Sequence, residues 1–134
     1  MDTARKINIL ISTYNGGKYL AELLESLLDQ TYENFRVLIR DDNSADDSIN
    51  IINKYTTNYS GTFRLFQDSL GNIGAANSFM NLLQYTDTDY VMFCDQDDIW
   101  KNNKVEITFN KMKATEGFYP SLPILVHTDL ELVN

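Results

Sequence analysis

Cysteine is almost absent from this chain of 134 residues, and long apolar runs are absent altogether. The single cysteine, Cys94, excludes an intrachain disulfide bond, which is typical of proteins from a reducing compartment. No stretch approaches the roughly 20 apolar residues of a membrane span, and the N-terminal segment lacks the long apolar core of a signal peptide. We therefore expect a soluble, cytoplasmic protein.

Positive charge is also scarce, because 11 Lys and Arg face 19 Asp and Glu, for a net charge of −8. This balance argues against nonspecific binding to nucleic acid, which requires clustered Lys and Arg. Much of the excess acid lies in two clusters, at positions 41–47 and 95–98. Neighbouring carboxylates repel one another and raise at least one pKa, so such clusters suit a bound cation better than a polyanion.

Strand-like and helix-like segments alternate along the chain. Short apolar runs predict strands at 7–12, 35–39, 63–66, 90–94 and 124–128, and the first and fourth have the composition of buried strands. Helical spacing of apolar residues predicts helices over 18–30, from about 49, over 75–85 and over 103–114, with Asp46, Asp47 and Ser48 as candidate N-caps of the second. The chain is the size of one domain, and its strand-like C-terminus suggests a fragment cut from a longer protein.

This order of elements predicts an α/β, Rossmann-like fold, with a mainly parallel twisted sheet and helices on both faces. In such sheets ligands bind outside the carboxyl ends of the strands. Polar segments follow each of the first four strands: STYN, RDDNS, GNIG and DQDD. We therefore expect the four loops to form one binding site.

The DQDD segment suggests a divalent metal. In extended chain Asp95 and Asp97 would point the same way, and Mn²⁺ or Mg²⁺ can be held by one or two carboxylates together with substrate phosphates. The alternative is a solvated loop in which Asp98 caps a helix. No G-x-G-x-x-G or G-K-[ST] phosphate loop is present, so the metal is the better candidate for holding a diphosphate.

Two further residues are candidates for reading a nucleoside. Tyr14, in the first loop, could stack on a base, and Asp42, after the second strand, could accept a hydrogen bond from a base N–H. The alternatives are a packed loop aromatic for Tyr14 and a turn-forming residue beside Asn43 for Asp42.

These segments together resemble the opening of the family 2 glycosyltransferases, which have the GT-A fold. The matching motifs are S-x-Y-N at 12–15, Q-T-Y at 30–32, D-D-x-S-x-D at 41–46, N-x-G with a later Asn at 72–77, and D-x-D-D at 95–98. Order and spacing are kept over nearly the whole chain. The final stretch, ILVHTDLELVN, resembles bacterial rhamnosyltransferase-like members more loosely.

The resemblance implies roles for individual residues. Thr13, Tyr14 and Asn15 would lie along the base and ribose, and Asp42 would bind the base. Asp95 would lie near the ribose and the metal, while Asp97 and Asp98 would coordinate Mn²⁺ or Mg²⁺ at the diphosphate. Asn77 would shape the sugar-phosphate pocket, unless it is an ordinary amide on a helix surface.

The implied function is transfer of a sugar from a UDP- or dTDP-sugar to a saccharide or lipid-linked acceptor, with inversion at the anomeric centre. Residues 1–134 would be the donor-binding part, with the catalytic base beyond Asn134, and the protein could work at the inner membrane face. A nucleotide-sugar-binding module without an acceptor half is the alternative. A phosphoacceptor receiver domain is disfavoured, because STYN replaces the acidic pair after the first strand.

Three residues that invite a catalytic role have simpler explanations. His127 is the only histidine, and near a strand end we expect it to be structural. Cys94 continues an apolar run and should be a small buried residue. Trp100 should pack beneath the metal loop rather than stack on a sugar.

Overall fold

The structure, a computed structural model, describes residues 6–132. Within this range the strands are β1 (Ile7–Thr13), β2 (Phe35–Asp41), β3 (Phe63–Phe66) and β4 (Tyr90–Asp95). The helices are α1 (Gly17–Leu28), α2 (Ser48–Asn58), α3 (Ala75–Leu83) and α4 (Lys104–Phe118). All eight elements were predicted from the sequence, in this order.

The four strands form one parallel sheet in the order β3-β2-β1-β4. In β1 the residues Ile9, Leu10 and Ile11 are completely buried, as expected for a central strand covered on both faces. Ile9 and Ile11 belong to a large core with the apolar residues of α1, α2 and α4. Leu10 packs on the opposite face with Leu82 of α3. Helices therefore cover both faces, as predicted.

The helices pack through the apolar residues that predicted them. In α1 the four residues Leu20, Leu23, Leu24 and Leu27 have no exposed surface. In α2 the buried apolar residues are Ile52 and Tyr55. In the described part of the chain, no helix is long and apolar enough to cross a bilayer.

Gln30, just after α1, joins α1 to the start of α4. Its side-chain Nε2 donates to the carbonyl oxygens of Ser26 at 3.0 Å and Lys101 at 2.8 Å, and its Oε1 accepts from the backbone N–H of Val105 at 3.0 Å. The Gln30 amide is thus fully used inside the protein. The Q-T-Y motif accordingly has a packing role at this position.

The fifth strand predicted at 124–128 is wrong, since these residues have no strand conformation. A cavity of about 650 Å³ lies between them and β4, lined by residues that include Met92, Phe109 and Ile124. Leu125 remains 85% exposed. A β-branched run forms a strand only when a neighbour supplies hydrogen bonds, and this segment pairs with none of the described strands.

The prediction that β4 is a buried strand is also wrong for most of its residues. Phe93 is 53% exposed and only Cys94 is buried. The cause is position, because β4 lies at the edge of the described sheet and pairs only with β1. Phe93 contacts Phe79 of α3 edge-on, with ring centroids 5.4 Å apart.

Of the three N-cap candidates predicted for α2, Asp47 is confirmed by its position. The N-cap of α2 is Asp47, but within the described residues its side chain makes no capping hydrogen bond and instead accepts from Asn50 at 2.7 Å. The alternative in which Asp98 caps a helix is wrong, because α4 begins at Lys104 with Asn103 as its N-cap.

Candidate functional site

The loops after β1, β2 and β4 lie together at the carboxyl edge of the sheet. Register places Ser12 of β1 opposite Asp95 of β4, and Thr13 opposite Asp41 of β2. Parallel strands necessarily bring their carboxyl ends to one edge. The predicted convergence of these three loops is therefore confirmed by the pairing of the strands.

Hydrogen bonds between side chains and backbone connect the first loop to the second. The backbone N–H of Asn15 donates to Ser44 Oγ at 2.9 Å, and Asn15 Oδ1 accepts from the N–H of Ala45 at 2.8 Å. Asn15 has a positive φ of 48°, a conformation that Asn tolerates better than most residues. Asn15 therefore serves as a connector in this structure, which is a role that the sequence analysis did not assign to it.

The start of α1 is held by the same second loop. The N–H of Gly17 donates to Asp46 Oδ2 at 2.9 Å, and the N–H of Gly16 donates to Ser48 Oγ at 3.1 Å. Hydrogen bonds from Ser48 and Gly17 hold the pKa of Asp46 below its usual value. At the start of a helix the first N–H groups have no carbonyl acceptor within the helix, and here the second loop supplies acceptors for two of them.

Tyr14 has the exposure that base stacking needs, because 49% of its surface is open. Its backbone is held by Gln96 on the β4 loop: the N–H of Tyr14 donates to Gln96 Oε1 at 2.8 Å, and Gln96 Nε2 donates to the Tyr14 carbonyl at 3.1 Å. The predicted base-stacking residue and the DQDD segment are therefore in direct contact.

Thr13 is completely buried, unlike its neighbour. Its carbonyl accepts from the N–H of Asp42 at 2.7 Å, and its Oγ1 has no hydrogen-bond partner within residues 6–132. Because Thr13 has no exposed surface, a nucleotide contact from Thr13 stays a prediction.

The DQDD segment leaves the sheet in a turn. Asp95 ends β4, and the N–H of Asp98 donates back to the Asp95 carbonyl at 3.3 Å. The prediction that Asp95 and Asp97 lie in extended chain, with their side chains pointing the same way, is wrong because Asp97 lies in this turn. Partial burial, then the charges of Asp95 and Asp97, raise the pKa of Asp98.

The fit of this segment to a metal ion rests on its donor chemistry. Among the described residues, no group of three His, Cys, Asp or Glu side chains is placed to hold a metal. A site completed by substrate phosphates and water requires only one or two carboxylates. The exposed Asp95 and Asp97 meet this smaller requirement, and their charges add to the effect of burial in raising the pKa of Asp98.

Asp42 points into the protein. Its Oδ1 accepts from Arg40 Nη1 at 2.6 Å and from the N–H of Ile73 at 2.9 Å, and its Oδ2 accepts from the N–H of Gly74 at 2.9 Å. Burial alone would raise the pKa of Asp42, but these hydrogen bonds lower it on balance. A base N–H would have to join a carboxylate that already has three donors, so base recognition by Asp42 stays a prediction.

Arg40 is the centre of this buried network, and the sequence analysis missed it. Its guanidinium, only 1% exposed, also binds both carboxylate oxygens of Asp68, at 2.7 and 3.0 Å, and the Gly71 carbonyl at 3.0 Å. The hydrogen bonding of Arg40 to Asp68 raises the pKa of Arg40 more than burial lowers it. The one available signal was a basic residue at the end of an apolar strand, just before two acids.

Arg40 and Asp42 together fix the loop between β3 and α3. Gly71 and Gly74 in this loop have positive φ values of 69° and 85°, which glycine adopts without strain. Asn77, on the first turn of α3, donates from Nδ2 to the Ile73 carbonyl at 2.9 Å and is exposed. The network thus holds the segment that carries the N-x-G motif, and the pocket role of Asn77 stays a prediction.

Of the discounted residues, Cys94 and Trp100 are buried as predicted, whereas the structural role of His127 stays a prediction. Cys94 is 1% exposed, and burial raises the pKa of its thiol well above the usual value. Trp100 is 4% exposed and lies in the main core, with its backbone N–H donating to Ser26 Oγ at 3.1 Å. His127 is exposed beside the cavity. Near the end of the described chain Asp129 and Glu131 are exposed too, and Glu131 Oε2 pairs with Lys101 Nζ at 2.7 Å.

Comparison with known proteins gives a consistent result. A family model described as "Glycosyl transferase family 2" matches residues 8–123. The chain is 32% identical over 111 residues to glycosyltransferase GlyG of Streptococcus pneumoniae serotype 4, covering 83% of this chain and 36% of GlyG. It is 29% identical over 123 residues to the dTDP-rhamnosyl transferase RfbG of Shigella flexneri, covering 83% of this chain and 43% of RfbG.

Solved structures with a similar fold include crystal structures of TarS. The crystal structure of S. aureus TarS 1-349 in complex with UDP superposes with a TM-score of 0.72 at 27% identity, covering 81% of this chain and 32% of that one. A second crystal structure of the same protein contains UDP-GlcNAc and gives a TM-score of 0.73. The chain spans about a third of the length of GlyG and of the TarS 1-349 chain.

Proposed function

Because the chain belongs to glycosyl transferase family 2 and has the α/β architecture of the GT-A fold, we propose that it forms the nucleotide-sugar-binding part of a glycosyltransferase. The enzyme would transfer a sugar from a nucleoside-diphosphate donor to a saccharide or lipid-linked acceptor, with inversion at the anomeric centre. Acceptor binding and the catalytic base would belong to sequence outside these 134 residues.

One observation supports this proposal most strongly. The loops after β1, β2 and β4 are joined at one edge of the sheet by hydrogen bonds through Asn15 and Gln96. This edge presents an exposed aromatic ring, Tyr14, next to the exposed carboxylates Asp95 and Asp97. A nucleoside diphosphate needs this combination, because a base has a π-face and a diphosphate needs a counter-charge, which a divalent cation on carboxylates supplies.

We propose a pyrimidine nucleotide as the donor. TarS has been solved with UDP and with UDP-GlcNAc, and RfbG is named a dTDP-rhamnosyl transferase. Uracil and thymine differ by one methyl group, and a pocket discriminates weakly between substrates that differ by one methyl group. UDP and dTDP are therefore both appropriate probes, with GDP as the comparison.

We propose that Asp95 and Asp97, with Asp98 behind them, hold Mn²⁺ or Mg²⁺ at the diphosphate. Such an ion acts as a Lewis acid that stabilises negative charge on the departing diphosphate. The protein itself would hold Tyr14, Asn15 and the turn at residues 95–98 (the acidic turn) at fixed positions relative to one another. The base, ribose and diphosphate could then bind side by side.

Calorimetric titration with UDP, dTDP and GDP, each with and without Mn²⁺, tests the proposal. We expect UDP or dTDP to bind more tightly when Mn²⁺ is present. Asp97→Asn should remove most of this gain, about tenfold in Kd or more, since a hydrogen bond or ligand bond to a charged group contributes about 1.5–3 kcal/mol.

Asp87→Asn is the matched control, because it makes the same charge change before β4, at the opposite edge of the sheet. The Asp87 carboxylate is 66% exposed and lies 3.9 Å from Arg36, so it should not alter nucleotide binding. A nucleotide Kd that is the same with and without Mn²⁺ would count against the proposed metal-assisted site. So would an equal loss of affinity in Asp97→Asn and Asp87→Asn.

A further inference from the structure

Gln96, the middle residue of the Asp95–Asp97 segment, makes a two-point contact with the backbone of Tyr14. Its amide oxygen accepts from the Tyr14 N–H at 2.8 Å, and its amide nitrogen donates to the Tyr14 carbonyl at 3.1 Å. These two bonds use both hydrogen-bonding groups of the Tyr14 peptide backbone and join residues 82 positions apart. A single primary amide thus holds the two loops in register.

Gly16 provides the space that this contact needs. A Cβ at position 16 would lie 2.3 Å from Gln96 Oε1 and 2.8 Å from its Cδ, closer than non-bonded atoms approach. The backbone of Gly16, with φ of −97° and ψ of 11°, is open to any residue. Close approach of the Gln96 amide is therefore the reason visible in this structure for a glycine at position 16.

The contact connects two parts of the proposed site that would bind different parts of the ligand. Under the proposed function Tyr14 would face the base, and the carboxylates on either side of Gln96 would face the metal and diphosphate. Movement of the acidic turn on metal binding would be transmitted through the amide to the Tyr14 backbone. Asn15, the next residue, is hydrogen-bonded to Ser44 and Ala45 and so connects the Tyr14 backbone to the second loop.

We propose that Gln96 is a positioning residue that couples nucleotide binding at Tyr14 to metal binding at the acidic turn. This inference rests on the proposed function. Under this proposal Mn²⁺ tightens UDP binding partly by fixing the Tyr14 loop, and UDP tightens Mn²⁺ binding by the same factor, because coupling between sites is reciprocal.

Three substitutions separate this role from simple stability. Gln96→Ala removes both hydrogen bonds. Gln96→Glu keeps the shape and the acceptor but loses the donor to the Tyr14 carbonyl and adds a fourth carboxylate to the segment. Gly16→Ala leaves Gln96 in the sequence but displaces its amide, which is the end of a flexible side chain, so the protein should fold normally.

Gln84→Ala is the control. Gln84 is an exposed residue at the C-cap of α3, away from the carboxyl edge of the sheet. Gln84→Ala makes the same chemical change as Gln96→Ala without contacting either loop. It should leave the exchange rate of the Tyr14 N–H, the UDP dissociation constants and the melting temperature unchanged.

The first measurement needs no ligand. Amide hydrogen exchange of the Tyr14 N–H, followed by NMR, should accelerate in Gln96→Ala and Gly16→Ala, since both remove its acceptor. Exchange in the core strand β1 should stay at the wild-type rate in these variants. Unchanged protection of Tyr14 would overturn the contact itself.

The second measurement is the ratio of UDP dissociation constants without and with saturating Mn²⁺. We expect this ratio to fall at least about fivefold in Gln96→Ala and Gly16→Ala, which is the lower end of typical coupling free energies. Binding of UDP without metal should weaken less than binding with Mn²⁺, and the melting temperature should change little. A purely structural role would instead weaken binding equally in both conditions.

The outcomes are distinguishable. A wild-type ratio near one would overturn the proposed metal site and the coupling role with it. A large wild-type ratio that persists in Gln96→Ala and Gly16→Ala would overturn the role of Gln96 alone and leave the proposed function intact. Slow exchange of the Tyr14 N–H in Gln96→Glu, which keeps the acceptor for this N–H, would support the contact, and fast exchange there would count against it.

Discussion

Replacing Arg40 by Met tests the buried network under the loop between β3 and α3. The change keeps most of the apolar stem but removes the charge, so that Asp42 loses a donor at 2.6 Å and Asp68 loses two. The side chains of Arg40 and Asp42 are only 1% and 3% exposed, so water cannot replace the missing donor at Asp42. Removing one member of such a pair costs about 3–5 kcal/mol of stability.

The assay is chemical or thermal unfolding at several pH values. At pH 7 the loss corresponds to a fall in Tm of roughly 10–15 °C for a domain of this size. The wild-type pKa values of Asp42 and Asp68 are lowered, so their contribution is present above the unfolded pKa of about 4 and disappears as pH falls through the lower folded values. In the variant, burial raises the pKa of Asp42, so the difference between the two proteins should shrink towards pH 4.

Two further variants make the interpretation specific. Arg36→Met, on the same strand, breaks only a 3.9 Å pair between side chains that are 34% and 66% exposed, which should cost less than about 1 kcal/mol. Arg40→Met in an Asp42→Asn background leaves no buried charge at position 42, so Arg40→Met should cost less there than in the wild type. If Arg40→Met costs no more than Arg36→Met, or if it costs as much in the Asp42→Asn background as in the wild type, the network is not what holds this loop.

Three other predictions follow from buried groups. The Tyr55 hydroxyl donates to Glu25 at 2.6 Å, and burial together with this bond raises the pKa of Tyr55 to about 12. Its contribution to stability is therefore present below pH 10 and lost as pH rises through about 12, and ultraviolet titration should show a tyrosine that titrates near pH 12 and is absent in Tyr55→Phe. Cys94 should react with a thiol reagent only in denaturant, and rapid labelling of the native protein would contradict its burial. Gln30→Ala should lower stability by about 2–3 kcal/mol in urea, because three hydrogen bonds are lost, one from a buried backbone N–H; a loss below about 0.5 kcal/mol would contradict the role of Gln30.

Local pattern was sufficient to predict the elements of the fold. The strand predicted at 63–66 and the first strand at 7–12 agree with β3 and β1 to within one residue, because their apolar runs are bounded by polar turns. The end of α4 was placed four residues early, at 114 instead of Phe118. Its last turns are mostly exposed, so no apolar spacing marked them.

The incorrect predictions share a physical cause, which is that they depend on neighbours in space. Residues 124–128 have strand composition, but a strand also needs a partner with free hydrogen-bonding groups. Phe93 was expected to be buried because of its apolar neighbours, whereas the edge position of β4 decides its exposure. Asp97 was expected to lie in extended chain, but the strand ends at Asp95 and a turn follows.

The contacts that organise the candidate site could not be read from the sequence. Gln96 and Tyr14 are 82 residues apart, and Arg40 and Asp68 are 28 apart. The motifs indicated these loops as candidates. They did not indicate that Gln96, between Asp95 and Asp97, hydrogen-bonds the backbone of Tyr14. Nor did they indicate that Asp42 faces a buried guanidinium.

A crystal grown with UDP and Mn²⁺, with data collected at the manganese absorption edge, tests the central claim most directly. The claim predicts one anomalous peak between the diphosphate and the carboxylates of Asp95 or Asp97, with the uracil ring against Tyr14. Nucleotide bound away from this edge of the sheet, or a manganese peak distant from both aspartates, would contradict it.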